Sequence, residues 1–99
     1  MSFKDMAGDQ WTRVCFFGPY TLKSRSTDVL GFDWEVTKHT EIEGNDSINV
    51  VVFATDKLVT EFVVVPRNKA DFWKLSGQCF PRIEAAFDYD LKVRSYLHK

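Results

Sequence analysis

Apolar residues in the first two thirds of the chain follow patterns that predict β-strands. Residues 11–17 are rich in β-branched and aromatic side chains, and residues 20–25 alternate apolar with polar positions after the break at Gly18-Pro19. These two segments predict a first hairpin. Residues 48–54 and 58–65 are nearly continuous apolar runs. Such runs are typical of central strands that are covered on both faces, or strongly buried on one.

The most regular alternation lies between those segments and predicts a strand over 32–43. Its even positions carry the apolar residues Phe32, Trp34, Val36 and Ile42, and most of its odd positions are acidic. A period of two places the two sets on opposite faces of a strand. We therefore expect residues 32–65 to form a three-stranded antiparallel meander, with a bend or bulge where two polar residues interrupt the apolar face.

A different spacing predicts a helix over about 69–86. Apolar residues at positions 72, 75, 79, 83 and 86 follow steps of three and four, which place them on one face of a helix. Gly77 and Pro81 interrupt this pattern, and a proline inside a helix costs about 3 kcal/mol. We expect one kinked helix, or two short helices with Pro81 in the first turn of the second.

The last segment, residues 87–97, is compatible with both a strand and a helix. A helix would form two favourable charge pairs, Asp88–Lys92 and Asp90–Arg94, each contributing about 0.3–0.5 kcal/mol. A strand would instead place the apolar side chains of the segment on one face. Burying each of those side chains contributes about 1.5–3 kcal/mol, which favours the strand.

Together these elements predict an α+β fold in the order ββ-βββ-α-β. We expect an antiparallel sheet of five or six strands with the kinked helix packed on one face. Residues 1–9 are mostly polar and aperiodic, so we expect a flexible N-terminal tail followed by a single domain over 10–99. The length of 99 residues argues against a second domain.

Composition and cysteine usage narrow the cellular context. The formal net charge is -1, which argues against direct binding of nucleic acid, and no apolar run approaches the roughly 20 residues that span a membrane. The two cysteines, Cys15 and Cys79, lie far apart in the sequence, and the N-terminal residues lack the apolar core of a signal peptide. We expect a cytoplasmic protein with two reduced thiols. A disulfide stays open as an alternative if the chain is the mature form of a secreted protein.

The small net charge conceals an uneven distribution along the chain. Residues 28–61 contain eight acidic and two basic side chains, a net charge of -6, whereas residues 1–27 carry +2 and residues 62–99 carry +3. Folding could therefore bring the acidic block against the basic C-terminal block, or keep the two apart.

The acidic block suggests a binding surface on the polar face of the predicted strand over 32–43. The residues that we expect to bind a partner are Asp33, Glu35, His39, Glu41 and Glu43, with Asp46 in the turn that follows. Complementary charge would favour a protein partner with a basic surface. The alternative is a solvated strand face opposite lysines of neighbouring strands. A metal site of His39, Glu41 and Glu43 is disfavoured, because no further histidine or cysteine lies nearby.

No combination of residues in the sequence indicates catalysis or a bound cofactor. We therefore expect a non-enzymatic protein-binding module, for example an immunity or inhibitor protein that neutralises a basic toxin or nuclease. We expect no membrane contact, and either a monomer or a homodimer. One alternative is a homodimeric subunit that pairs through a sheet edge. Another is a small ligand-binding protein or enzyme with a pocket between helix and sheet, using His39, Glu41 and Cys79.

Overall fold

The computed structural model describes residues 1–19 and 21–99, apart from the side chain of Lys23. Within these residues the chain forms six β-strands, one α-helix and four short 3₁₀ helices. The strands are β1 (Arg13–Phe17), β2 (Ile48–Ala54), β3 (Val59–Pro66), β4 (Cys79–Pro81), β5 (Phe87–Asp90) and β6 (Ser95–His98). The helix α1 is Lys23–Leu30, and the 3₁₀ helices are Val36–Lys38, Ile42–Gly44, Trp73–Leu75 and Arg82–Glu84.

Four strands form one antiparallel sheet in the order β3-β2-β1-β4, and β5 and β6 form a separate two-stranded sheet. The predicted α+β class, with one helix and antiparallel strands, is confirmed. The strands are divided between two sheets, whereas the sequence analysis placed them in one. The central position of β2 agrees with its continuous apolar run, because its side chains are buried on both faces.

The four-stranded sheet buries a separate cluster of apolar side chains on each face. On the first face, the N-terminal segment, residues 72–75 and the segment around β5 cover the sheet. On the second face, α1 and the loop after it cover the sheet. The buried residues of the first cluster are Phe3, Trp11, Val14, Phe16, Val51, Phe53, Phe72, Leu75, Phe80, Ala85 and Phe87. Those of the second cluster are Cys15, Phe17, Leu30, Val36, Ile42, Val50, Val52 and Ala54.

The kinked helix predicted over about 69–86 does not form. The segment instead contains two 3₁₀ helices and β4, which pairs with β1 so that Phe80 lies opposite Val14. Gly77 adopts a positive φ of 79°, a conformation that breaks a helix, and Pro81 has no N–H to donate within one. Pairing with β1 satisfies backbone groups that a helix would leave open at that edge. The apolar side chains at 72, 75 and 80 still reach one core cluster.

The helix of this protein lies where the sequence analysis predicted the second strand of the first hairpin, over 20–25. Residue 20 falls outside the described residues, and residues 23–25 belong to α1. Ser26 and Leu30, four positions apart, are both buried and therefore share the face that covers the sheet. The helix ends at Gly31, which has a φ of 81° and donates its N–H to the Thr27 carbonyl oxygen at 2.9 Å.

The strand predicted over 32–43 is also absent. These residues form a loop with two 3₁₀ helices that crosses the second face of the sheet. The apolar residues Val36 and Ile42 are fully buried, as the alternation required, but from short helical turns rather than from one extended strand. The predicted meander over 32–65 is therefore reduced to the hairpin of β2 and β3.

The two cysteines form a disulfide bond between Cys15 and Cys79, so the prediction of two reduced thiols is wrong. Cys15 of β1 lies directly opposite Cys79 of β4, with their Cα atoms 4.1 Å apart. This pairing could not be anticipated from a helical assignment of Cys79, because only the alignment of β4 along β1 brings the two side chains together.

Residues 87–97 are extended and not helical, as predicted, but they form two short strands joined by a turn and not the single strand that was expected. β5 and β6 pair as a hairpin, and the Arg94 N–H donates to the Asp90 carbonyl oxygen at 2.8 Å across the turn. The N-terminal residues, expected as a flexible tail, pack beside this hairpin. Ser2 forms a bridge with Ala86, and Phe3 is buried in the first core cluster.

Candidate functional site

The acidic residues singled out in the sequence lie on one loop, residues 31–47, which connects α1 to β2. We call this segment the acidic loop. It carries five acidic side chains and the single base Lys38, a net charge of -4. All six residues of the predicted site lie on it, and Asp33, His39, Glu41, Glu43 and Asp46 are exposed while Glu35 is half-buried. The site residues are therefore brought together, but by a loop instead of a strand face.

Two buried apolar residues hold the acidic loop against the sheet. Val36 and Ile42 both belong to the cluster on the second face, where they pack with Val50 and Val52 of β2. Burying a side chain of this kind contributes about 1.5–3 kcal/mol. Because the side chains of these two residues point towards the sheet, the charged residues between and around them face solvent.

A buried hydroxyl also fastens the acidic loop to α1. The Ser26 Oγ donates to the Trp34 carbonyl oxygen at 2.7 Å and accepts the Val36 N–H at 2.9 Å. Ser26 is fully buried and satisfies both backbone groups, and the Thr27 Oγ1 also donates to the Trp34 carbonyl oxygen at 3.5 Å. The position of the loop start therefore depends on one small polar side chain.

Replacing this hydroxyl is expected to destabilise the protein. Ser26→Ala leaves the buried Val36 N–H without its partner and the Trp34 carbonyl oxygen with only the long 3.5 Å hydrogen bond from Thr27 Oγ1, and the free energy of unfolding should fall by about 1–3 kcal/mol. Urea denaturation measures this change, with the exposed Ser24→Ala in the same helix as the matched control. The Val36 amide should also exchange its hydrogen faster. Equal stability of the two variants would contradict this account of the loop.

An aromatic stack lies where the acidic loop meets β3. The rings of Trp34 and His39 are parallel within 5° with centroids 4.8 Å apart. The Phe62 ring of β3 contacts both, at centroid distances of 5.6 Å. His39, predicted as a partner-binding residue, is thus held in an exposed stack that anchors the loop beside β3.

The charges of the acidic loop are paired only once within the described residues. Lys38 Nζ lies 3.0 Å from Glu35 Oε2, and the hydrogen bond and charge of Glu35 raise the pKa of Lys38. The other ion pair among these residues, Arg67–Asp71, lies within the C-terminal block. Thus no ion pair among the described residues joins the acidic block to the basic C-terminal block, and the contact that Arg67 makes with the acidic loop is to the backbone oxygen of Asp46.

β3 is the edge strand next to the acidic loop, and sequence reasoning missed its exposure. Val63 and Val64 are each 43% exposed, although the run from 58 to 65 suggested a covered strand. Near its start, the acidic loop contacts Phe62 through Trp34 and His39. Near its end, the Asp46 carbonyl oxygen accepts from Arg67 Nη1, just after β3, at 3.0 Å. The acidic loop therefore lies beside β3 between Phe62 and the end of the strand.

The other face of the same edge carries a shallow apolar groove of about 200 Å³. Every residue that lines it is apolar, and the list is Met1, Phe3, Met6, Val51, Phe53, Val63, Val65, Ala70 and Phe72. The continuous hydrophobicity of β3 was visible in the sequence. The groove was not, because it is completed by the N-terminal residues and by residues 70–72, which the sequence analysis placed elsewhere.

The alternative reading of His39, Glu41 and Cys79 as a catalytic set is not supported by their chemistry here. Cys79 is bound to Cys15 and offers no free thiol, so it cannot act as a nucleophile while the disulfide is intact. The part of the chain that the structure describes contains no cluster of residues suited to hold a metal ion. None of its helices combines the length and apolar character needed to cross a membrane.

An open cleft of about 850 Å³ lies on the surface away from α1. It lies between the end of β3 and the β5–β6 turn, with Arg67, Trp73 and Arg94 among its lining residues. Arg67 is already committed to Asp71 and to the Asp46 carbonyl oxygen. The pocket expected between helix and sheet depended on the helix predicted over about 69–86, which does not form.

Comparison with known proteins returns no matching family model, no matching curated protein and no matching solved structure.

Proposed function

We propose that this protein is a non-enzymatic protein-binding module that docks a basic partner on the acidic loop. The observation that carries the proposal is the position of the loop, with a net charge of -4, directly beside the open edge strand β3. A surface of one charge sign accelerates association with an oppositely charged partner and rejects partners of like charge. The half-buried Trp34 adds an aromatic ring that a cationic side chain can contact.

The specific form that we propose is an inhibitor or immunity protein that neutralises a basic toxin or nuclease. A nucleic-acid-binding site is positively charged, so a compact acidic surface can occupy it in place of phosphate groups. The acidic loop is held by buried anchors, Val36 and Ile42, which keeps its charges in place before the partner arrives.

The Cys15–Cys79 disulfide changes the proposed location. The cytoplasm was expected because the N-terminal residues lack the apolar core of a signal peptide and the two cysteines lie far apart in the sequence, and that expectation included two reduced thiols. Disulfides persist in oxidising compartments and are rare in the cytosol. We therefore propose that the protein acts in an oxidising compartment, where the disulfide is maintained.

A second candidate function is a homodimeric subunit that pairs through β3. The exposure of Val63 and Val64 on an edge strand favours it, because such an edge can pair with another strand. The charge of the acidic loop argues against it, because two copies would bring two loops of charge -4 together.

Reversing the charge of the acidic loop is expected to weaken binding of the partner. The variant Asp33→Lys, Glu41→Lys, Glu43→Lys should weaken binding about tenfold or more, because each exposed charge pair contributes about 0.2–1 kcal/mol and reversal adds repulsion. The matched control is Asp9→Lys, Glu84→Lys, Asp88→Lys, which changes the net charge equally at exposed sites outside the loop. Affinity capture followed by binding measurements at low and high salt compares the three proteins. Equal binding by the two variants would reject the acidic loop as the docking surface.

A further inference from the structure

The backbone of β3 is open along its outer side. The Arg67 N–H donates to the Ser47 carbonyl oxygen at 2.8 Å, and the register continues through Val65 opposite Asn49 and Val63 opposite Val51. Backbone groups alternate in direction along an antiparallel strand. The N–H and C=O groups of Phe62 and Val64 therefore point away from β2, where no strand of the sheet lies.

The two edges of the sheet differ in their protection. β4 is only three residues long and ends in Pro81, features that hinder pairing with another strand. β3 is eight residues long and carries the single charge Glu61. Its own proline, Pro66, closes one end but leaves Phe62 and Val64 accessible. β3 is thus the edge that can accept an additional strand.

The two faces beside this edge favour different side chains. On the first face, Val63 and Val65 border the apolar groove of about 200 Å³, which has room for an apolar side chain. On the second face, Phe62 contacts the aromatic stack, and the acidic loop follows the strand as far as Arg67. A strand added to β3 would therefore present one side to an apolar surface and the other to a negative one.

We propose that the basic partner contributes an extended segment that adds to β3 as an antiparallel strand, with apolar and basic residues in alternation. Its apolar side chains enter the groove, and its basic side chains face the acidic loop. Its backbone pairs with the free groups of Phe62 and Val64, as in recognition by strand addition. The inference rests on the proposed function, because it assigns the basic residues of the partner to the acidic loop.

A second copy of this chain fits the edge less well. Two antiparallel copies of β3 would be related by a two-fold axis perpendicular to the sheet, so both acidic loops would lie over the same face. Each loop carries -4, and the two would repel one another across the new strand pair. A basic, alternating segment removes this repulsion and replaces it with attraction.

The test uses a short synthetic peptide that alternates Lys and Val, with binding measured by isothermal titration calorimetry. In the antiparallel arrangement the Lys residues face the acidic loop opposite Phe62 and Val64, so their backbone N–H groups point to β3. Backbone N-methylation of the Lys residues should weaken binding tenfold or more, since it removes those donors and blocks close approach. N-methylation of the Val residues, whose N–H groups point outward, is the matched control and should leave affinity within about threefold.

A protein variant tests the same contact from the other side. Val64→Pro removes only an outward N–H, and its neighbour Val63 already has the extended backbone that a proline requires. The affinity of Val64→Pro for the peptide should fall tenfold or more, whereas Val64→Ala should keep the affinity of the unaltered protein. The peptide comparison uses the unaltered protein, so it stands even if Val64→Pro does not fold.

The outcomes separate this inference from the proposed function. Both the strand addition and the docking function are supported if methylation of the Lys residues, but not of the Val residues, weakens peptide binding, and if the charge-reversed loop variant loses peptide binding. Equal binding of all peptides that still requires the acidic loop overturns strand addition and leaves the docking function standing. No binding of the unmodified peptide overturns strand addition. A dimer in light scattering that Val64→Pro dissociates would assign the edge to a second copy and overturn the proposal.

Discussion

Removal of the Cys15–Cys79 disulfide is expected to lower the free energy of unfolding by about 4 kcal/mol. The bond joins residues separated by 64 positions, and closing a loop of that size restricts the unfolded chain strongly. It also ties the short strand β4 to β1. A domain of this size has a small core, so a loss of this magnitude is a large share of its stability.

Denaturation of the double variant Cys15→Ala, Cys79→Ala measures the effect, with the oxidised and reduced natural chain alongside. Reduction should destabilise the natural chain and leave the double variant unchanged. Thiol alkylation of the folded, unreduced protein should label neither cysteine. An unchanged denaturation midpoint after complete reduction would show that the bond contributes nothing to stability.

Phe3→Ala is expected to lower the free energy of unfolding by about 3–5 kcal/mol, although Phe3 lies close to the N-terminus. Its side chain is only 4% exposed. Its ring lies between 5.3 and 6.1 Å, centroid to centroid, from four other aromatic rings, those of Phe16, Phe53, Phe72 and Phe87. Truncation leaves a cavity in the middle of the first core cluster.

The control for this prediction is Met6→Ala, since Met6 belongs to the same segment but is exposed. Chemical denaturation of the two variants should show a large loss for Phe3→Ala and a small one for Met6→Ala. If both variants matched the natural protein, residues 1–9 would behave as the flexible tail that their polar composition suggested.

The predicted secondary structure succeeded where neighbouring residues decide the conformation. β1 and the β2–β3 hairpin follow runs of β-branched and aromatic residues, which favour extended backbone locally. The helix predicted over about 69–86 was wrong, although the spacing of apolar residues in that segment suits a helix. The open edge of β1 offered hydrogen bonds that this spacing does not reveal, and Gly77 and Pro81 made the helix costly.

The candidate site stays a prediction in its residues, and its expected form was wrong. Asp33, Glu35, His39, Glu41, Glu43 and Asp46 all lie on the acidic loop, since they are close in the sequence. The strand face was wrong, because Val36 and Ile42 can be buried from a looping chain as well as from a strand. The signal that could have warned of this is the pair of polar residues, Lys38 and Thr40, at positions the strand required to be apolar.

The sequence by itself determined the α+β class, the apolar strands and the acidic composition of residues 28–61, because these depend on residue type and short-range spacing. Only the tertiary structure decided which strand became the exposed edge, whether the two cysteines formed a disulfide and whether ion pairs joined the blocks of opposite charge. Each of these depends on pairing between segments distant in the chain. The net charge of -1 is the same for every such pairing. The order β3-β2-β1-β4 leaves β3 at the edge, and the contacts of Trp34 and His39 with Phe62 place the acidic loop beside it, with no described ion pair to the basic C-terminal block.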